Sequence, residues 1–301
     1  MDLNFVRIIF TLRVAGDEAN PFVLFGSKER FMDAFRQAAN CRCSRCESFP
    51  RSFECPYCQT FSQTISSDPA AVKRFQKPPF PFVFEFPLVL PAPNRGGFLE
   101  CGLTLVGSAV NFIADYLAAL RIMFQPAGTG RRLNAFLVRV ESVDYSGSRH
   151  TIFDQDGVAL DRLVFLSLAG LQNTNVVTPG PLTLSIITPM RIMQEGRPLR
   201  DISFSPFVRA LFRRISSMAY YYGGVEMDFD YKWLADRSSG IETVSSKLRW
   251  VEWKPGLCGV MGTVTFSGDV ADFLPFILLG EHFHVGKGAP FGLGSYRIDS
   301  R

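Results

Sequence analysis

The sequence predicts an α+β protein made of two tandem ferredoxin-like halves, each a βαββαβ run, with a Cys-rich insertion in the first. Strand-like stretches alternate apolar and polar residues with period two, and helix-like stretches repeat apolar residues every three or four. The same order of elements recurs on either side of the turn-rich connector TNVVTPGP, residues 174–181. The predicted domains are residues 1–175 and 181–301. At 301 residues and 47% hydrophobic, the chain is long enough for two cores and too apolar to be disordered.

The first half opens with FVRIIFTLRV (Phe5 to Val14), an alternating, half-buried strand. Ser27 then caps a helix whose Phe31, Ala34, Phe35 and Ala38 fall on one face. FPFVFEF and FLECGLTLVG follow as strands, VNFIADYLAALRIMF as a helix and NAFLVRVESVDY as a strand. Residues 150–157 are turn-rich, and His150 is expected in an exposed loop. In the second half LTLSIITPMRI is a strand, and Ser205 with Pro206 opens the helix SPFVRALFRRISSMAYYY. Strands at 246–253 and 259–266, a helix from Asp269 to Gly280 and a strand within 293–298 complete it. Most of the 29 Phe residues lie in these alternating and periodic stretches and are expected in the cores.

No apolar run approaches the ~20 residues of a membrane span, and Arg7 and Arg13 interrupt the start of the chain where an export signal would be apolar. A cytoplasmic protein is expected. The net charge of +4 names no partner, but 25 of the 32 basic residues are Arg, which suits phosphates and bases as well as a GC-rich coding sequence.

The insertion at residues 41–58 reads CRCSRCESFPRSFECPYC, in which Cys43 and Cys46, then Cys55 and Cys58, form two CxxC pairs. Four thiolates so paired predict a closed tetrahedral site for one structural zinc, with Cys41 a spare or an alternative first ligand. Cys101 and Cys258 stand alone in apolar strands and are expected to be core residues.

Near the C-terminus, GEHFHVGKGAPFGLGSYRI places Gly286, Gly288, Gly292 and Gly294 within nine residues. Glycines admit positive φ and bring bare N–H groups up to a phosphate, although a tight turn into an edge strand needs them equally. The pattern is neither GxGxxG after a first strand nor the GxxxxGK[ST] of a P-loop. His282, His284 and Lys287 lie in and before this loop. If the segment is extended, both imidazoles share one face and could converge with the ammonium on one phosphate. Arg209 and Arg213, four residues apart with Arg214 adjacent, form a basic ridge beside the apolar stripe of their helix. Arg191, and Arg131 with Arg132 after the GTG at 128–130, are further candidate phosphate contacts.

HVGKGAPFGLGSY resembles the terminal glycine-rich loop of the RAMP superfamily, in particular the CRISPR repeat-processing endoribonucleases. ITPMRIMQEGRPL, FVRALFRRISSMAYYYGG and CPYCQTF before PPFPFVFEFP resemble other segments of the same family. The resemblance implies a tandem ferredoxin-like fold and a sequence-specific cut in CRISPR repeat RNA that releases guide RNAs. In that reaction a ribose 2′-OH attacks the adjacent phosphorus without a metal, leaving a 2′,3′-cyclic phosphate. No catalytic cofactor is then expected, and the partners are repeat RNA and possible subunits of an effector complex. His282, His284 and Lys287 would be catalytic, and the loop glycines with the arginines above would bind RNA. The family often places its catalytic histidine near the first helix, whereas this sequence has no His before position 150. Three readings stay open: proton transfer by the C-terminal histidines, substitution by Tyr, Lys or Arg, or a non-catalytic RAMP subunit that holds guide RNA. For His284 a second role stays open, bracing the loop through a hydrogen bond.

Overall fold

The computed structural model describes residues 3–14, 22–43, 55–69, 71, 77–89, 97–125, 134–174 and 180–299. They fall into two compact units, Phe5–Leu166 and Ser167–Arg301, the latter joined by the Met1–Asn4 start of the chain.

In the first unit, β1 (Phe5–Val14) is followed by α1 (Phe22–Phe25), α2 (Lys28–Ala38) and α3 (Pro56–Phe61). Then come β2 (Phe82–Glu85), β3 (Phe98–Val106), α4 (Ile113–Phe124), β4 (Ala135–Val143), β5 (Arg149–Asp154) and β6 (Gly157–Val158). Among the described residues the sheet runs β2-β3-β1-β4-β5-β6, and every neighbouring pair is antiparallel. The β2-β3-β1-β4 portion is the ferredoxin-like order. One face of β1, carrying Phe10 and Leu12, turns inward. There Phe31 and Phe35 of α2, Phe61 of α3, Phe82 and Phe84 of β2, and Tyr116 of α4 interlock edge to face at centroid distances such as 4.9 Å for Phe31–Phe84 and 4.8 Å for Phe35–Tyr116.

The expectation of a turn-rich loop at 150–157 is corrected. β5 and β6 form a hairpin, and His150 lies on β5, still exposed, with Nε2 3.4 Å from Asp144 Oδ2. Gln155 and Asp156 make its two-residue turn and Gly157, at φ 142°, opens β6; strands this short conceal the hairpin in the sequence.

The second unit contains α5 (Leu168–Thr174), β7 (Leu182–Met190), the two-residue strands β8 (Met193–Gln194) and β9 (Arg197–Pro198), α6 (Phe204–Met218) and α7 (Tyr231–Arg237). It ends with β10 (Glu242–Lys254), β11 (Leu257–Ser267), α8 (Leu274–Phe283) and β12 (Tyr296–Ile298). The sheet runs β10-β11-β7-β12, again the ferredoxin-like order. Phe204 and Phe207 of α6 meet Phe266, Phe273 and Tyr296 in its core. The fold class expected from the sequence is therefore observed.

Three local expectations in this unit are corrected. α6 begins two residues early, with Ser203 in the N-cap position. Ser205 instead accepts hydrogen bonds from Arg209 Nε at 3.1 Å and from Ser238 at 2.7 Å. α6 continues as a π-helical turn over Ala219–Gly223, ended by Gly224 at φ 63°. The β8–β9 hairpin and α7 have no counterpart in the sequence reading. Glu195 (φ 50°) and Gly196 (φ 77°) make the hairpin turn, and two-residue strands are too short to show any period.

Candidate functional site

The glycine-rich segment leaves α8 at His284 and packs onto the end of β7. Lys287 donates its N–H to Arg191 O at 2.9 Å, Val285 to Gly294 O at 3.1 Å, and Gly294 to Pro189 O at 3.1 Å. Thr188 Oγ1 donates to Gly292 O at 2.8 Å and accepts from Ser295 N at 2.9 Å. Two of the glycines are required by this close approach. A Cβ on Gly294 (φ 67°) would lie 1.8 Å from Val285 O, and one on Gly286 (φ 95°) 2.6 Å from Arg191 O.

Most of the loop is thus spent on its own fold and not on a broad cradle of bare N–H groups. The N–H groups of Gly286 and Gly288 have no backbone acceptor among the described residues. They flank Lys287, which is exposed. Two N–H groups without a backbone acceptor and one exposed ammonium on three consecutive residues are groups that an anion could use.

The segment is not extended, so alternation does not relate the two histidines. His282 occupies the last turn of α8 and is half-buried, whereas His284 caps the helix at φ 55°, ψ 173° and is only 1% exposed. Arg214 Nε donates to Phe283 O at 2.8 Å, pinning the backbone between them. Burial pulls the Arg214 guanidinium down to about 10, which leaves it charged at neutral pH. Arg214 therefore braces the site from α6, and Thr188 does so from β7. Neither role has a signature in residue spacing.

On the outer side of α6, Arg209 is tied through Nη2 to Ala235 O at 3.1 Å, and Arg213 is exposed. With Ser205, Pro206 and residues 192–195 they line a cleft of ≈ 440 Å³ beside the β8–β9 hairpin. Arg191 is half-buried; its carbonyl serves the loop, and its Nη1 lies 3.5 Å from Cys258 Sγ. Arg131 and Arg132 lie outside the described residues.

In the first unit Cys41, Cys43, Cys55 and Cys58 come together with their Sγ atoms within 4.8 Å of one another. Zn–S bonds of about 2.3 Å in a tetrahedron place sulfurs about 3.8 Å apart, so small adjustments suffice to hold the ion. The alternative first ligand of the sequence reading, Cys41, is a member of the cluster, and Cys46 lies outside the described residues. The cluster is framed by α2 and α3. Cys41 N bonds Arg36 O at 3.0 Å, Arg36 Nη2 donates to Tyr57 Oη at 3.1 Å, and its guanidinium stacks 4.6 Å from the Tyr57 centroid.

The chain thus holds two ferredoxin-like units in tandem, the second with a glycine-rich loop ahead of its last strand. Residues 184–296 match the family model described as CRISPR-associated endoribonuclease Cas6, bearing out the resemblance read from the sequence, and residues 17–163 match a model described as an N-terminal domain. A Cas6 product complex aligns over 99% of this chain and 100% of its own, with a TM-score of 0.59 and 15% identity. A Cas6 substrate mimic complex aligns over 98% and 99%, at 0.53 and 13%. A partial Cas6-RT-Cas1–Cas2 complex is matched over 99% of this chain, which spans 46% of the length of that protein, at 0.59 and 13%. No curated protein matches the chain by sequence. Among the described residues no helix is long and apolar enough to cross a membrane.

Proposed function

We propose that the protein is an endoribonuclease that cuts CRISPR repeat RNA into guide units. The observation that carries this reading is that the Cas6 family match falls on the unit holding the glycine-rich loop, where Lys287 is exposed between Gly286 and Gly288, whose N–H groups have no backbone acceptor among the described residues. In the proposed reaction a base removes the 2′-OH proton while its oxygen attacks the adjacent phosphorus. The P–O5′ bond breaks and an acid protonates the departing 5′ oxygen. The products are a 2′,3′-cyclic phosphate and a 5′-OH, and neither step uses a metal-bound water. Lys287 and the two N–H groups stabilise the phosphorane.

Of the two histidines at the end of α8, His282 is the half-buried one, and it is assigned a proton transfer. His284, enclosed at the helix cap, is assigned first to holding the loop. Arg209, Arg213 and the cleft beside them hold phosphates on either side of the cut, and one zinc in the cysteine cluster supports the first unit without taking part in chemistry. The partners are repeat RNA and other CRISPR-associated subunits.

The test is single-turnover cleavage of end-labelled repeat RNA in excess EDTA, followed by identification of the product ends. Cyclic phosphate formation that persists in EDTA is expected. Tight binding with no cut would replace this reading with a non-catalytic RAMP subunit.

A further inference from the structure

We propose that the cross-strand row at the Arg13 end of β1 in the first unit's sheet is a second RNA site, a platform on which Phe98 and Phe136 each stack a base of a single strand while Arg13 and Arg139 meet its phosphates. The site stands independently of the cleavage reading. It is defined by strand register. Arg13 of β1 pairs with Phe98 of β3 on one side and with Phe136 of β4 on the other, giving the cross-strand row Phe98–Arg13–Phe136. Residues paired in this way share a face, and the neighbouring Leu12, Leu99 and Ala135 point into the core. Phe98 is 65% exposed and Phe136 40%, and the Arg13 guanidinium sits 5.6 Å from the Phe136 centroid.

The next row on the same face is Glu100–Thr11–Arg139. Arg149 holds Glu100 through two hydrogen bonds of 2.6 and 3.0 Å and lies 3.5 Å from Glu141, so the acids of this face are already met. Arg13 and Arg139 have no ion pair among the described residues. Arg13, Arg139 and Arg149 thus outnumber Glu100 and Glu141, and the net charge beside the rings is positive.

The chemistry that fits is an unpaired polynucleotide. Two strand spacings put the rings about 9.6 Å apart, whereas bases in a duplex are stacked about 3.4 Å apart and present only their edges. Rings so placed can only receive bases splayed from one another, as single strands allow. A protein partner would need an apolar core on the scale of a stable interface, and here the apolar patch is two rings wide before the polar row begins.

The test uses the full chain and a fluorescent oligouridylate of about ten nucleotides, within the usual site size of such surfaces. Phe98→Ala with Phe136→Ala should weaken binding at least about tenfold. Phe98→Tyr with Phe136→Tyr should restore it, and 4-thiouridine crosslinks should map to both aromatic positions. Binding of an RNA duplex of the same length and the unfolding temperature should not change in any variant. The proposal is overturned if the double Ala variant binds the single strand like the parent, if it loses duplex and single strand alike, or if its only change is in self-association. Platform loss is read in affinity for an RNA that carries no repeat, and failure of the cleavage reading in the absence of cut repeat by the parent protein, so the two are distinguished.

Discussion

His284 and Gly294 show how much of the site rests on single backbone conformations. His284 is a non-glycine residue at φ 55°, a strained position held by its hydrogen bond to Gly280 O and by the donation of Arg214 to Phe283 O. His284 is also only 1% exposed, so His284→Ala removes a buried ring and is expected to lower the unfolding temperature as well as slow cleavage. His282→Ala should slow single-turnover cleavage by roughly two to four orders of magnitude with unchanged unfolding and little change in RNA affinity. Equal rates for His282→Ala and the parent would move the proton transfer to a Tyr, Lys or Arg. Gly294→Ala adds a Cβ 1.8 Å from Val285 O at a left-handed position. The backbone conformation costs about 1–2 kcal/mol and the overlap about 1–3 kcal/mol more, measurable by denaturant unfolding.

At the scale of elements, α2 and α3 frame the cysteine cluster, and α6 carries the basic ridge. Four thiolates from Cys41, Cys43, Cys55 and Cys58 leave no open coordination position, so about one zinc per chain is expected in protein purified without added metal. Cys55→Ser should lower that stoichiometry and destabilise the first unit, and metal content unaffected by the substitution would rule the site out. On α6, Arg209 is committed to Ser205 and Ala235, while Arg213 faces the cleft. Each phosphate contact contributes about 0.7–0.9 to the slope of log affinity against log salt. Arg213→Ala should flatten that slope by about this amount, whereas Arg209→Ala should also loosen α6 against α7. An unchanged slope for both would make the ridge a solvated face.

For the whole molecule, repeat RNA that binds only the folded chain should raise its stability by about 2.7 kcal/mol at a hundredfold excess over Kd, visible as a shift of the thermal transition. What the sequence by itself determined is the doubled βαββαβ order, because alternation in FVRIIFTLRV and LTLSIITPMRI and the stripe Phe207, Leu211, Ile215 and Met218 are local signals that tertiary contacts only reinforce. The motif residues of the glycine loop were legible for the same reason, since each has a local sequence pattern. Tertiary structure alone decided what those residues do. Gly286 and Gly294 are needed because β7 passes within a Cβ's reach, and Cys41 joins the cluster because Arg36 and Tyr57 draw α2 and α3 together. The row Phe98–Arg13–Phe136 comes from three strands whose pairing no local period encodes. Spacing along a chain reports which side of an element a residue occupies, whereas the partner across from it is set by contacts between segments far apart in sequence.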